Sequence, residues 1–592
     1  MGPCISLAAL SCCELVLRGT TLLAALAVLA LPAAAQASTK KVSLLPGVTY
    51  TKEVRWVHGG PLVTHLITAP RPLGLYDMKP VLAGGTVLGR ERVTSMQRRL
   101  SRSATVAGVN GDFFTFATGH PNGIFMRDGV LATRPESSRS SLGVAFDGSL
   151  RVRRWRYSGS WQVDGFRAHS MKELNNRLRT VAGASLFTPE YGGRTPRRRR
   201  AVDVVLSGLP PTVVNGSLRA RVERQRRGGN TAVPRGGGVI QFRGRSRRAA
   251  LREALRGRAV TLRLGIERFW TDVADAIGGG PRLVRNGRPV YRSGEGFTRY
   301  QLVPRHPRTA VGQRANGRIM LVVADGRSRA SMGVSNSEMA LEMVRLGAVR
   351  AMGLDGGGSS TLAFDGRVLN SPSDGSERSV GDGLMVFYYG IYARRLRHPV
   401  VSPNGDGVRD VQPLAAKIVR RSNVKLRLLR PDGSVAWRHR GVVGRETIAH
   451  ELRRTRRNGA WQWVVEAVDM RGRKSRMVRR FTVNNTLGFL RLSKERMRVR
   501  SGRGGKLGAS VVLTKRSSFS LTIRRASNGR VVRRLYVNGA QGAGTLGFRW
   551  DGRSDRGRVV RSGTYIVRAQ ARNELGRIAL ARRLTVVRVQ NA

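Results

Sequence analysis

The chain has 592 residues, with 106 Lys+Arg against 37 Asp+Glu for a net charge of +69, 72 glycines and 3 cysteines. That length argues against a single domain, the 41% hydrophobic content excludes a wholly disordered basic protein, and the glycines lack the every-third-residue period of collagen. Residues 401–592 hold 45 Lys+Arg and 11 Asp+Glu, a balance of +34 that leaves +35 for the first 400 residues, so no basic arm owns the charge.

After Arg18 the chain is uncharged as far as Lys40, with an apolar stretch from Leu22 to Leu31 and then Ala35-Gln36-Ala37. This predicts a secretory signal over residues 1–37, with an uncleaved anchor as the alternative. Cys4, Cys12 and Cys13 all fall inside it, so the mature chain would have no thiol. No later segment is apolar enough to span a membrane. The expectation is a secreted or extracellular protein, with cell-wall association suggested by the charge.

Residues 38–397 mix helical and strand signals. Val202 to Leu206 and Val260 to Leu264 alternate as strands do, whereas the runs Arg197 to Arg200 and Arg224, Arg226, Arg227 read as solvated loops in an arginine-rich excursion. Only 11 of the 106 basic residues are lysines, which fits a coding bias as well as selection for an anionic partner. Nucleic acid is disfavoured, because no recognition motif accompanies the charge.

Asp325 follows the strand Ile319 to Val323 and reads either as a cleft acid or as an Asp-Gly turn. Ser335 and Glu338 form a capping box, and the apolar positions from Met339 to Leu346 predict a helix ended by Gly347. Val349 to Leu354 then predicts a buried strand that delivers Asp355 into Gly356-Gly357-Gly358-Ser359-Ser360. Glycine backbone of this kind can present N–H groups to an anion, although the lysine end of a Walker loop is missing. A tight turn capped by Asp355 is the plainer alternative. No cluster has zinc-ligand spacing and no Gly-x-Ser-x-Gly elbow occurs.

Six ordered segments carry a resemblance: Asn110-Gly111-Asp112-Phe113-Phe114, Gly278-Gly279-Gly280-Pro281, Arg308-Thr309-Ala310-Val311-Gly312, Ala324-Asp325-Gly326-Arg327, Leu354 to Thr361, and Pro372-Ser373-Asp374. Over roughly 105–390 the chain resembles the phosphodiester glycosidase family. The resemblance implies removal of an N-acetylglucosamine-type sugar from a sugar-1-phosphodiester. Asp355, Arg308 and Asp325 would be catalytic: Asp355 would act as nucleophile, as electrostatic partner of the cationic sugar or as base toward water, and Arg308 would grip phosphate. Asn110, Phe113, Thr309, Gly356, Gly357, Gly358, Ser359, Ser360 and Arg378 would bind substrate, with Asp382 as a supporting residue. Asp112 falls on a variable family position, and Gly353 stands where the family often has asparagine. His306 reads as a proton relay or, more simply, as a loop histidine.

Beyond residue 398 short alternating strands are separated by turns. Gly459 to Asp469 answers Gly563 to Asn573, and the Leu426 to Trp437 hairpin answers Leu521 to Leu535, which predicts two sandwiches of roughly 90 residues each, over 398–486 and 487–592. Ser402 to Asp410, Trp550-Asp551-Gly552 and Gly563-Thr564-Tyr565 resemble the FlgD-type immunoglobulin-like repeat, although the first unit lacks Trp-Asp-Gly. Asn404, Asp406 and Asp410 are weak candidates for structural Ca²⁺, the plainer alternative being a capped turn. No other cofactor is expected.

The expected architecture is an α+β catalytic domain with a mixed β-sheet, followed by two all-β immunoglobulin-like sandwiches. The expected partner is an anionic cell-envelope polysaccharide or glycan. The alternatives are a non-catalytic polyanion-binding cell-wall protein and a glycosidase acting on an ordinary glycosidic bond.

Overall fold

The structure, a computed structural model, describes residues 37–267, 270–291, 294–500 and 504–589. Residues 1–36, which hold all but the last residue of the expected signal segment 1–37 and its three cysteines, lie outside the described residues. No described helix is long and apolar enough to cross a membrane.

The N-terminal body is built almost wholly of strands, which overturns the α+β expectation. The described chain has four α-helices, of eight, eight, four and ten residues. The sheets of this body are also antiparallel rather than mixed, save the short pair Glu173–Leu174 with Gly183–Phe187. The helical signal was real but local. Ser335 accepts from the Glu338 N–H, and the Glu338 side chain reaches back to the Ser335 N–H, so the capping box forms and the helix Asn336–Arg345 follows it. The strands that dominate this body are buried on both faces, as Thr105–Asn110 and Ile319–Ala324 are, and their apolar runs carry no period-2 signature.

An eight-stranded sheet runs Ser38–Leu45, Val48–Val57, Gly60–Ala69, Ile319–Ala324, Arg308–Arg314, Ala348–Gly353, Arg282–Arg285, Arg288–Pro289. The helix Asn336–Arg345 covers one face of it through Met339, Ala340 and Met343. A five-stranded sheet carrying Thr105–Asn110 and Asp382–Tyr388 as neighbours packs against the other face, with Val109, Leu384 and Val386 meeting Val311, Leu321 and Met352.

A second eight-stranded sheet holds Arg197–Ser207 paired with Ser217–Gly229. The arginine runs read as loops are therefore strand: Leu218, Ala220 and Val222 face inward while Arg219 and Arg221 alternate outward, which is the pattern of a half-solvated sheet.

The tail forms two β-sandwiches, each a three-stranded sheet against a five-stranded one in the same strand order. The internal repeat is borne out at element level, since Gly459–Asp469 and Gly563–Asn573 occupy the same central place in their sheets. The strand Tyr392–Ala393 pairs with Val411–Ile418 of the first sandwich. The loop holding Asn404, Asp406 and Asp410 is a capped turn. Asp410 accepts from the Gly405 and Gly407 N–H groups at 2.9 and 2.6 Å, while Asp406 accepts from Val408 at 2.8 Å and from Phe489 of the second sandwich at 3.0 Å. Its oxygens are spent on N–H donors, and no cluster of three or more His, Cys, Asp or Glu suited to a metal occurs among the described residues.

Candidate active site

The ends of four strands from two sheets converge here. Ala310 pairs with Gly353, which sets the Arg308-Thr309 end beside Leu354-Asp355, and the Leu354 N–H bonds the Thr309 carbonyl at 2.9 Å. Gly383 pairs with Asn110, and the Asp355 N–H bonds the Gly111 carbonyl at 3.0 Å, joining the two sheets.

Asn110 is fully buried and committed to this junction. Its Nδ2 donates to the Asp355 carbonyl at 2.7 Å, and its Oδ1 accepts from Thr309 Oγ1 at 2.8 Å and from the Thr361 N–H at 3.1 Å. Asn110 and Thr309, expected to bind substrate, instead hold up the segment that carries Asp355.

A cavity of ≈ 250 Å³ opens over Asp355, lined by Phe113, Ser359 and Arg378 from the expected set and by Phe114, Phe116, Asn122, Arg139 and Gln301. Burial pushes the Asp355 carboxyl up to about 6, against the opposing pull of the Ser359 hydroxyl, the Gly356 N–H, Arg378 and Arg139. Arg378 is held by Asp374 at 2.7 Å and donates to Ser359 Oγ at 3.4 Å. Arg139 stacks over Phe297 and Phe113 at 4.4 and 5.2 Å from the ring centroids.

Two further carboxyls lie beneath. Asp112 accepts from Gly123 at 2.6 Å and Phe113 at 2.8 Å, and its own N–H donates to Asp382 at 2.8 Å. Burial raises the Asp112 carboxyl to about 7 and drives Asp382 well above the usual range, the Asp112 charge adding to the effect on Asp382. Asp382 Oδ2 is buried without a partner.

The glycine loop is less open to an anion than expected. The N–H groups of Gly356, Gly357, Ser359 and Ser360 bond Asp355 Oδ1, the Pro307 carbonyl, the Gly356 carbonyl and the Gly357 carbonyl, at 2.9, 2.8, 3.3 and 3.1 Å. Gly358 is the loop member whose N–H has no intramolecular acceptor among the described residues. Gly357 adopts φ +61, as only glycine does readily. Ser360 Oγ is buried without a partner.

Arg308 lies behind this loop rather than on the cavity wall. It donates to the Val334 and Pro304 carbonyls at 3.2 and 3.1 Å, and burial lowers its guanidinium to about 10. Asp325 is also remote from the wall: it bonds His65 Nε2 at 2.8 Å and accepts from Asn370 Nδ2 at 3.2 Å and the Ser371 N–H at 3.1 Å. His306 takes the Arg327 Nε–H on Nδ1 at 3.3 Å. At Gly353 a Cβ would meet the Gly280 carbonyl oxygen at 2.9 Å, so this backbone leaves no room for an asparagine side chain.

Residues 208–387 match the family model described as phosphodiester glycosidase, and residues 497–574 match that of the FlgD Ig-like domain. A Bacillus subtilis (strain 168) SPbeta prophage-derived protein, YomE, is 40% identical over 106 residues, 18% of this chain and 16% of that protein. The human N-acetylglucosamine-1-phosphodiester alpha-N-acetylglucosaminidase is 39% identical over 67 residues, 11% of this chain and 13% of its own length. The chain thus spans under a fifth of these relatives. A Synechocystis protein of known structure shares the fold with a TM-score of 0.52 at 22% identity, covering 59% of this chain and 64% of that one. Residues 208–387 of the β-rich N-terminal body thus carry the likeness to a phosphodiester glycosidase domain, and residues 497–574 that to an FlgD-type immunoglobulin-like domain.

Proposed function

We propose that the Asp355 cavity hydrolyses the bond between the anomeric carbon of an N-acetylglucosamine-type sugar and a phosphodiester, within an anionic envelope polymer or glycan reached by export. The observation that carries this reading is a carboxylate with a raised pKa between two arginines, Arg139 and Arg378, in a cavity walled by Phe113, Phe114 and Phe116.

Cleavage expels a phosphate monoester, a better leaving group than an alcohol, so a strong general acid is not required. What the reaction needs is negative charge beside the sugar as it gains cationic character, and positive charge beside the departing phosphate. Ionised Asp355 supplies the first, and Arg378 and Arg139 the second. The three phenylalanines offer apolar faces to the sugar ring. The likeness of 67 residues to the human glucosaminidase supports the choice of sugar.

Because Asp355 acts ionised, kcat/KM should rise with pH through about 6 and level off above it. The test follows sugar release from a panel of N-acetylglucosamine-1-phosphodiesters, with Asp355→Asn and Arg378→Ala alongside wild type. Asp355→Asn should lower turnover by on the order of 10³-fold or more and Arg378→Ala by ~10²-fold. Equal turnover by all three removes the residue roles, and no turnover of any substrate, with polymer binding retained, favours a non-catalytic polyanion-binding protein.

A further inference from the structure

Beside the Asp355 cavity lies a larger one of ≈ 1110 Å³. Its walls come from the strands Leu150–Arg154, Arg282–Arg285 and Ala348–Gly353, and they present Arg153, Arg154, Arg282, Arg285 and Arg350. Arg285 and Arg350 stand directly opposite each other on neighbouring antiparallel strands, where like charges repel.

The acids on these walls offset only part of that charge. Glu295 is committed to the Ser140 N–H and hydroxyl at 2.7 and 3.0 Å and to the Arg282 N–H at 3.1 Å, and Asp147 pairs with Arg71 at 2.7 Å. Glu267 faces Arg156 at 3.9 Å. The side chains of Arg153, Arg285 and Arg350 have no hydrogen bond or ion pair among the described residues. Arg282 Nε is buried without a partner, while its Nη2 ties to the Val152 carbonyl. Burial lowers the Arg282 guanidinium against the opposing pull of Glu295, and repulsion from Arg285, Arg153 and Arg154 adds to the lowering. Converging guanidinium groups left unpaired, one with a desolvated N–H, are what an anion would satisfy.

The two cavities share a wall. Arg139 lines the first and Ser140 the second, and Phe297, two residues beyond Glu295, packs on Phe113 at 5.2 Å. We propose that the larger cavity is a polyanion groove that seats the neighbouring phosphodiester units of a polymeric substrate while one sugar-phosphate bond occupies the Asp355 cavity. The polymer's identity rests on the hydrolytic reading of that cavity.

The test measures binding of linear polyphosphate of ~10 units to the full chain by calorimetry over a salt series. Arg285→Glu with Arg350→Glu is compared with Arg498→Glu and Arg583→Glu, both exposed on the last sandwich, which change the net charge equally. The groove variant should bind at least ~10-fold more weakly and the control within ~2-fold of wild type. Equal losses in both would overturn the groove in favour of diffuse attraction by the +69 charge. A single-stranded oligonucleotide of matched charge that binds tighter than polyphosphate, with the same sensitivity, would overturn the glycan assignment.

In parallel, a substrate with one phosphodiester should be turned over equally by wild type and groove variant, while kcat/KM on a polymeric phosphodiester glycan falls ~10-fold in the variant. Loss of all turnover with the binding difference retained removes the hydrolytic reading and leaves the groove standing. Turnover with no effect of the groove variant removes the groove alone.

Discussion

Asp382 and Asp112 make the site's electrostatics depend on a shared burial that no single segment displays. Each carboxyl holds its proton to higher pH in the folded chain than in the unfolded one, so the folded state is penalised progressively as pH rises from about 4 through about 7. Asp382→Asn keeps an oxygen for the Asp112 N–H and removes the titrating group on which the Asp112 charge acts. The expected outcome is that, between pH 5 and 8, wild type loses on the order of 1–3 kcal/mol relative to the variant in urea unfolding. Identical pH slopes for the two proteins would remove the raised pair. Asn110→Ala should cost about 2–4 kcal/mol, because it leaves the Asp355 carbonyl, the Thr309 hydroxyl and the Thr361 N–H without their partner in a fully buried place. That Phe113 and Asp355 meet on one cavity wall was legible because their motifs follow strand ends, with Ser359 and Arg378 joining it from the segments beyond Asp355. Arg139 was not, since its role comes from stacking on Phe297, a partner more than 150 residues away in sequence. Arg308 and Asp325 were misplaced because a motif fixes neighbourhood, whereas the direction of a side chain is set by which carbonyls and histidines compete for it.

At the scale of elements, the glycine loop places Gly358 under the Asp374–Arg378 pair. A Cβ at Gly358 would fall well inside contact distance of Arg378 Nη2 and both Asp374 carboxylate oxygens. These are the ends of flexible side chains, so Gly358→Ala should fold with little loss in melting temperature while displacing Arg378 from the cavity and lowering kcat/KM by ~10-fold or more. Gly108→Ala is the contrast. It meets Met385 Sδ and the Leu384 carbonyl at 2.8 Å inside a fully buried strand, and should destabilise by several kcal/mol, on the order of an overpacked core. Circular dichroism melts with parallel activity assays separate the two. Elements with local punctuation were readable from sequence, as the capping box and the paired hairpins of the tail demonstrate. The α+β expectation failed because one well-signalled helix among doubly buried strands weighs more in a sequence than in the molecule.

Across the whole molecule, the cores do not divide where the composition does. One apolar cluster runs from Leu45 and Met78 through Tyr388, Ile391 and Tyr392 to Leu414, Trp461 and Phe481, so the N-terminal body and the first sandwich share buried surface. Polar ties reinforce it: Lys417 Nζ bonds the Ala104 carbonyl at 3.2 Å, Arg473 the Gly74 carbonyl at 2.8 Å, and Ser475 Oγ accepts from the Ile391 N–H at 3.0 Å. The last sandwich has its own core, centred on Phe519, Trp550 and Tyr565, and meets the first through the Asp406 turn. Calorimetry should therefore resolve the last sandwich from a larger unit that contains the N-terminal body together with the first sandwich. A chain ending at residue 486 should keep the larger unit's transition. One ending at residue 397 should lose on the order of 10 °C and aggregate on heating, because it uncovers Tyr388, Ile391 and Tyr392 and leaves Tyr392–Ala393 as an unpaired edge. If both truncations melt alike, the first sandwich is a tethered passenger; if only the shorter one fails, that sandwich is part of the N-terminal body's scaffold, and shortening this protein to its family-matched segment would remove the surface that supports the Asp382–Tyr388 strand beneath the Asp355 cavity.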